Sequence, residues 1–146
     1  MVTTAPTSLD LASRFRPVVL QLARELRREL APLGITGGQA ALLAAIRKQP
    51  GIGVAGLATR EGTSVPVMSG YVARLEAAGL VERTRSTVDR RRYGLTLTEA
   101  GERITRAARR RRTAWLAARL ELLPDEDRTR IEEALAPLEH LLGSDE

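Results

Sequence analysis

Residues 63–101 constrain this chain more than any other stretch. They run Thr-Ser-Val-Pro-Val-Met-Ser-Gly-Tyr-Val-Ala-Arg-Leu-Glu-Ala-Ala-Gly, then Leu-Val-Glu-Arg-Thr-Arg-Ser-Thr-Val-Asp-Arg-Arg-Arg-Tyr, then Gly-Leu-Thr-Leu-Thr-Glu-Ala-Gly. Ser64 suits a helix N-cap, and Pro66 falls in the first turn, where a missing amide proton costs nothing. In a helix over 65–78, Met68, Val72 and Leu75 share one face, and Val67, Ser69, Gly70 and Arg74 share the other. Gly79 supplies a left-handed stop. Residues 80–85 and 93–97 alternate as paired strands, joined by a turn over 86–92. Thr98 then caps a new helix. A short amphipathic helix, a hairpin with an arginine-rich tip and a third capped element therefore follow one another almost without linkers.

The flanking segments read as helices. From Leu9 to Leu33, the residues Leu11, Phe15, Val18, Val19, Leu22, Leu26 and Leu30 recur at three- and four-residue steps. Ser8 is the expected cap. Pro17 inside the pattern predicts a kink or a split. Residues 1–8 are expected to be disordered. Thr36 can cap a helix over 37–48, with Ala40, Leu43 and Ile46 inward and a weak start at Gly37-Gly38. Pro50-Gly51 stops it, and residues 54–61 make a two-turn helix ending at Gly62. Beyond Thr98 a long helix runs to about Leu122, with Ile104, Ala108, Trp115, Leu116 and Leu120 on its stripe. Pro124 opens a last helix whose Asp125, Glu126 and Asp127 suit its positive end.

Charge is distributed unevenly. The net is +5, but residues 83–112 hold eleven arginines against Asp89, Glu99 and Glu102. Residues 121–146 hold nine acids against Arg128 and Arg130. A concentrated basic block points to a polyanionic partner. Arg109 to Arg112 span most of a helical turn and cannot share one surface, so some are expected to pair with the acidic last helix, of this chain or of a second copy. With no cysteine, thiolate metal sites and disulfides are excluded. No His, Asp and Glu cluster has metal spacing, no catalytic trio can be built around the single His140, and no glycine-rich phosphate loop is present. An enzyme is not expected, nor any cofactor or metal. The first ten residues lack a signal-peptide pattern and no apolar run reaches membrane-span length, so a cytoplasmic location without membrane contact is expected.

Three short helices in the order 37–48, 54–61, 65–78 fit a helix-turn-helix core, and the hairpin adds a wing. The outward face of the third helix, with Ser64, Pro66, Val67, Ser69 and Gly70, is small enough to approach base edges in a major groove. Ser69 can donate or accept there, Tyr71 reaches a base or phosphate, and Arg74 suits a phosphate. A narrow minor groove attracts arginine. Arg91 is therefore the candidate for insertion, Asp89 its orienting partner, and Arg90 and Arg92 phosphate contacts. The fold class is mainly α with a small β component (α+β).

Residues 35–101 resemble the winged helix-turn-helix of MarR-family transcriptional regulators. The resemblance rests on Ile35-Thr36 with Gln39, Val54-Ala55-Gly56-Leu57-Ala58, Met68-Ser69, the run from Val72 to Val81, Asp89-Arg90-Arg91, and Leu97-Thr98-Glu99-Ala100-Gly101. The order of the flanking helices extends it over nearly the whole chain. Gly70 departs from it, standing where many relatives carry arginine. Leu123 also departs, standing where Ser or Thr usually caps the last helix.

The resemblance implies a homodimer, with residues 9–34 and 99–146 as a helical dimerisation region and residues 35–98 as the DNA-binding domain. Wide apolar stripes on the terminal helices agree with this. It further implies recognition helices about one DNA turn apart, roughly 34 Å, on a pseudo-palindromic double-stranded site. Repression relieved by a small aromatic or phenolic effector is the implied mode of action. Trp115 is then either core or the wall of an effector pocket shared with Phe15 and Arg16. The rival reading is a non-specific architectural DNA-binding protein.

Overall fold

The computed structural model describes residues 4–86, 89 and 91–143. The chain divides into two compact units, residues 1–112 and 113–146, with the boundary inside one long helix. Among the described residues no single helix is long and apolar enough to cross a membrane.

In the first unit α1 (Ser8–Arg28) begins one residue earlier than the sequence predicts. Thr7, not Ser8, is its cap: the Thr7 hydroxyl accepts the Asp10 N–H at 3.2 Å. Pro17 neither splits the helix nor ends it. The segment from Ala31 to Leu33 is a separate 3-10 turn closed by Gly34, so the expected single helix to Leu33 is two elements.

The helix α2 (Gly37–Lys48) matches expectation at both ends. Its glycine-rich start is held by a reciprocal capping box. The Gln39 N–H donates to the Thr36 hydroxyl at 3.1 Å, and the Thr36 N–H donates to Gln39 Oε1 at 3.0 Å. Next come α3 (Val54–Arg60) and α4 (Val65–Ala77), the latter capped by Ser64.

The end of α4 is a Schellman cap. The Gly79 N–H donates to Glu76 O at 2.9 Å and the Leu80 N–H to Leu75 O at 3.0 Å, with Gly79 at φ 73°. This reversal feeds directly into β1 (Val81–Arg85), which pairs antiparallel with β2 (Tyr93–Leu97), Val81 facing Leu97 and Arg85 facing Tyr93. A third segment joins the sheet that the sequence reading treats only as a helix stop. Ile52 bridges Leu95, with the Leu95 N–H donating to Ile52 O and the Gly51 N–H to Leu95 O, both at 2.8 Å. Gly94 makes room for it: a Cβ there would fall 2.3 Å from Gly51 O.

The long helix α5 (Glu99–Leu120) starts at Thr98. Three hydrogen bonds converge on that residue. Its N–H donates to Leu80 O at 3.1 Å, its hydroxyl donates to Gly79 O at 2.6 Å, and the same hydroxyl accepts the Gly101 N–H at 3.0 Å. Gly101 lies so close to the sheet that a Cβ would stand 2.0 Å from Leu80 O. The core sits between these elements, with Leu30, Leu43, Ile46, Leu57, Met68, Val72, Leu75 and Leu95 fully buried.

In the second unit α5 ends and α6 (Asp125–Leu141) begins at Pro124, which is itself the cap residue and leaves no side-chain cap. Arg128 compensates at this junction, donating to Leu123 O at 3.1 Å and Leu120 O at 3.5 Å. The acids of α6 pair with its own arginines: Asp125 with Arg128, and Glu126 and Asp127 with Arg130. In the first unit Arg111, from the Arg109–Arg112 run, reaches the end of α1, donating to Glu29 O at 2.9 Å with Glu29 Oε2 at 3.3 Å.

Gly101→Ala is expected to lower stability by about 2–3 kcal/mol, because a backbone carbonyl cannot move aside as a side chain would. Urea unfolding checks this, and a loss below about 0.5 kcal/mol would contradict the contact.

Candidate nucleic-acid interface

The amphipathic character of α4 determines what it offers. Met68, Val72 and Leu75 are buried, so the opposite side of the helix must face solvent. Pro66, Val67, Gly70 and Arg74 are exposed there, and Ser69 is half-buried at the margin. The wheel also places exposed Ala73 on that side, a residue the sequence reading passes over. Gly70 has no neighbouring heavy atom within 4 Å of where a Cβ would stand. Ser64 uses its hydroxyl to accept the Val67 N–H at 3.4 Å, so it serves first as the cap that aims the helix. Tyr71 is exposed, and the Arg74 guanidinium lies 5.9 Å from its ring centroid. Both border a groove of about 630 Å³ lined also by Thr36, Gln39 and Met68.

The wing leaves the same core. An ion pair ties it to α4: Arg83 Nε on β1 is 2.9 Å from Glu76 Oε1. Arg85 lies over the Tyr93 ring at 5.5 Å and donates to its hydroxyl at 3.0 Å. At the tip, the Ser86 N–H donates to Arg92 O at 2.8 Å, and the Arg92 N–H donates to Asp89 O at 3.0 Å. Asp89 acts on the backbone rather than on the arginine side chain expected of it. Its Oδ1 accepts the Arg91 N–H at 3.0 Å, while its Oδ2 lies 3.8 Å from Arg92 Nε. A short side chain that closes its own turn in this way is an Asx turn. Asp89, Arg91 and Arg92 are all exposed. Among the described residues the Arg91 guanidinium meets no carboxylate. Arg90 lies outside the described residues.

The effector candidates are dispersed over the two units. Phe15 and Arg16 sit on α1, Phe15 half-buried and Arg16 exposed. Trp115 belongs to the second unit, where the Arg119 guanidinium stacks 3.9 Å from its ring centroid. The first unit contains a different concavity, about 600 Å³, between α2 and the first part of α5. Ile35, Leu43 and Ala108 give it an apolar floor, and Arg47, Arg109 and Arg112 line it as well. Arg47 is held there by Glu102 at 3.4 Å. No spacing in the sequence marks this groove, because it needs residues about sixty positions apart.

A helix-turn-helix core with a paired β-wing and a long following helix defines a winged-helix DNA-binding protein. The model of the MarR family matches residues 35–93. An HTH-type transcriptional regulator of Mycobacterium tuberculosis is 31% identical over 81% of this chain and 82% of its own length. The HTH-type transcriptional repressor MdtR of Bacillus subtilis is 26% identical over 94% of this chain and 88% of its own. Among solved structures, a Staphylococcus aureus MepR mutant bound to an oligodeoxyribonucleotide is similar with a TM-score of 0.69. It is 21% identical over 90% of this chain and 96% of that one. The chain belongs to the MarR family of DNA-binding transcriptional regulators.

The Arg83–Glu76 pair sets the wing against α4 but is partly exposed, so a double-mutant cycle with Arg83→Ala and Glu76→Ala is expected to give a coupling of about 0.5 kcal/mol. Thermal unfolding of the four proteins measures it, and strict additivity would remove the pair as a brace.

Proposed function

We propose that the protein is a dimeric repressor that holds a pseudo-palindromic duplex and releases it when a small organic effector binds. The observation that carries this reading is the arrangement of two chemically different probes on one braced scaffold. The small outward face of α4 suits close approach to base edges in a major groove. The wing presents Arg91, with no carboxylate partner among the described residues, where an adjacent minor groove would draw a guanidinium. Arg92 and Arg74, with Arg90 from the sequence, are the phosphate contacts in this reading. Ser64, Pro66, Val67, Ser69, Gly70 and Tyr71 line the helix side of it, and Asp89 shapes the turn that aims Arg91. MdtR, named a repressor, and the DNA-bound MepR mutant support the mode of action by analogy.

Dimerisation is supported by apolar side chains that each unit leaves in solvent. On α1, Leu9, Leu11, Val18, Val19, Leu20 and Leu22 are exposed, and on α6, Ile131, Leu135 and Leu141 are exposed. Faces of this kind mark interaction sites. Occupation of a promoter by the dimer would exclude polymerase. The effector would act by favouring a conformation with a different separation of the two recognition helices, which shifts the population away from DNA. The groove lined by Arg47, Arg109 and Arg112 is the better-formed place for it, and its guanidinium groups suit an aromatic or phenolic anion. Phe15 and Arg16 in the first unit, and Trp115 in the second, are further residues to probe.

Arg91→Ala is expected to weaken duplex binding while leaving the fold intact, and to flatten the log–log salt dependence by about one unit. Fluorescence anisotropy across a salt series measures both. Sedimentation should return twice the mass of one chain. Unchanged affinity in the variant would remove the wing from the interface. Equal affinity for random and selected duplex would favour the architectural reading.

A further inference from the structure

The chemistry of the α4 face carries the reading above one step further, to the kind of base that the helix contacts. From Ser64 to Ala73 the chain reads Ser-Val-Pro-Val-Met-Ser-Gly-Tyr-Val-Ala. This stretch contains no Arg, Lys, Asn, Gln, Asp or Glu. The side chains that form bidentate hydrogen bonds to guanine or adenine, or accept from cytosine, are therefore all missing from the first two and a half turns of the helix. What it exposes instead is apolar. On the outward side Val67, a β-branched hydrophobe with a stiff side chain, is 44% exposed. Pro66 lies next to it, and Gly70 and Ala73 continue the same side as a shallow trough. The first long polar side chain is Arg74, and its guanidinium is drawn back over the Tyr71 ring.

In a major groove, one base-pair edge matches such a surface: the C5-methyl group of thymine, which makes apolar contacts and needs no hydrogen-bond partner. We propose that α4 reads thymine methyl groups, with Val67 as the contacting side chain beside Pro66, and that the half-site under the helix is defined by these methyls rather than by guanine. Gly70 and Ala73 let the helix sink far enough for Val67 to reach. Ser69 is left to make the hydrogen bond that sets register. The inference rests on the proposed placement of α4 in the major groove.

The test uses the full-length protein and a duplex enriched from a random pool. Each thymine of the enriched half-sites is replaced singly by deoxyuridine, which removes one methyl group and leaves pairing and hydrogen-bonding edges unchanged. Loss of a buried methyl should lower affinity about threefold to fivefold at one or two positions per half-site. Val67→Ala, at an exposed position where folding is not at stake, should bind more weakly and lose most of its response at one of those positions. A wild-type protein that binds the enriched site but ignores every deoxyuridine substitution would overturn the inference while leaving the α4 placement standing. Failure to enrich any duplex would instead remove the placement itself, and the inference with it.

Discussion

The carbonyl group of Leu80 is the point from which the winged module is organised. It ends the reversal after α4, accepts the Thr98 N–H, and lies against the bare Cα of Gly101. Thr98 adds a bond to Gly79 O and caps α5 with the same hydroxyl. A single cluster of backbone and hydroxyl groups thus fixes the exit of α4, the base of the wing and the entry of the long helix. Any displacement at this junction would be felt by all three. That is why one small residue is needed there and why a half-buried hydroxyl with both its donor and its acceptor used stands beside it.

The arginines follow a division of labour that their number conceals. Arg111 anchors the end of α1 through a backbone carbonyl and a carboxylate, and Arg128 closes the carbonyl end of α5. Arg83 braces the wing, and Arg85 covers Tyr93. These residues are consumed by structure. Pairs of this kind, half in solvent, contribute little stability individually, but each one fixes a direction. Among the described residues other arginines are not held in this way, such as Arg91 at the wing tip and Arg109 beside the groove between α2 and α5.

Local signals carried most of the architecture. The bounds of α2 were legible because the Thr36 cap and a Pro-Gly stop both act within a few residues, and the end of α4 was legible because Gly79 is a local solution to a local problem. The inward triad of Met68, Val72 and Leu75 followed from helical periodicity alone, and with it the exposed side of the helix. What escaped the sequence reading depends on distant partners. The Ile52–Leu95 bridge joins a loop to a strand more than forty residues on, and Arg111 finds Glu29 from the far side of the module. Asp89 was legible as an orienting group, but which atom it orients is a matter of turn geometry: it takes a backbone N–H that the residue pattern does not reveal. The groove beside Arg47 and Arg109 was invisible for the same reason of separation, whereas Trp115 drew notice because it is the single tryptophan.

The empty space around Gly70 bears on how such a protein can diverge. Side chains in the core are tied to their neighbours, so most changes there are purged by loss of stability. At Gly70 nothing constrains size or shape, and a single-nucleotide change converts a glycine codon to one for arginine. With α4 placed in the major groove as proposed, duplicated copies of this chain could acquire new targets through one surface substitution, with the scaffold unaltered, so that evolution of the regulatory network is uncoupled from evolution of the fold.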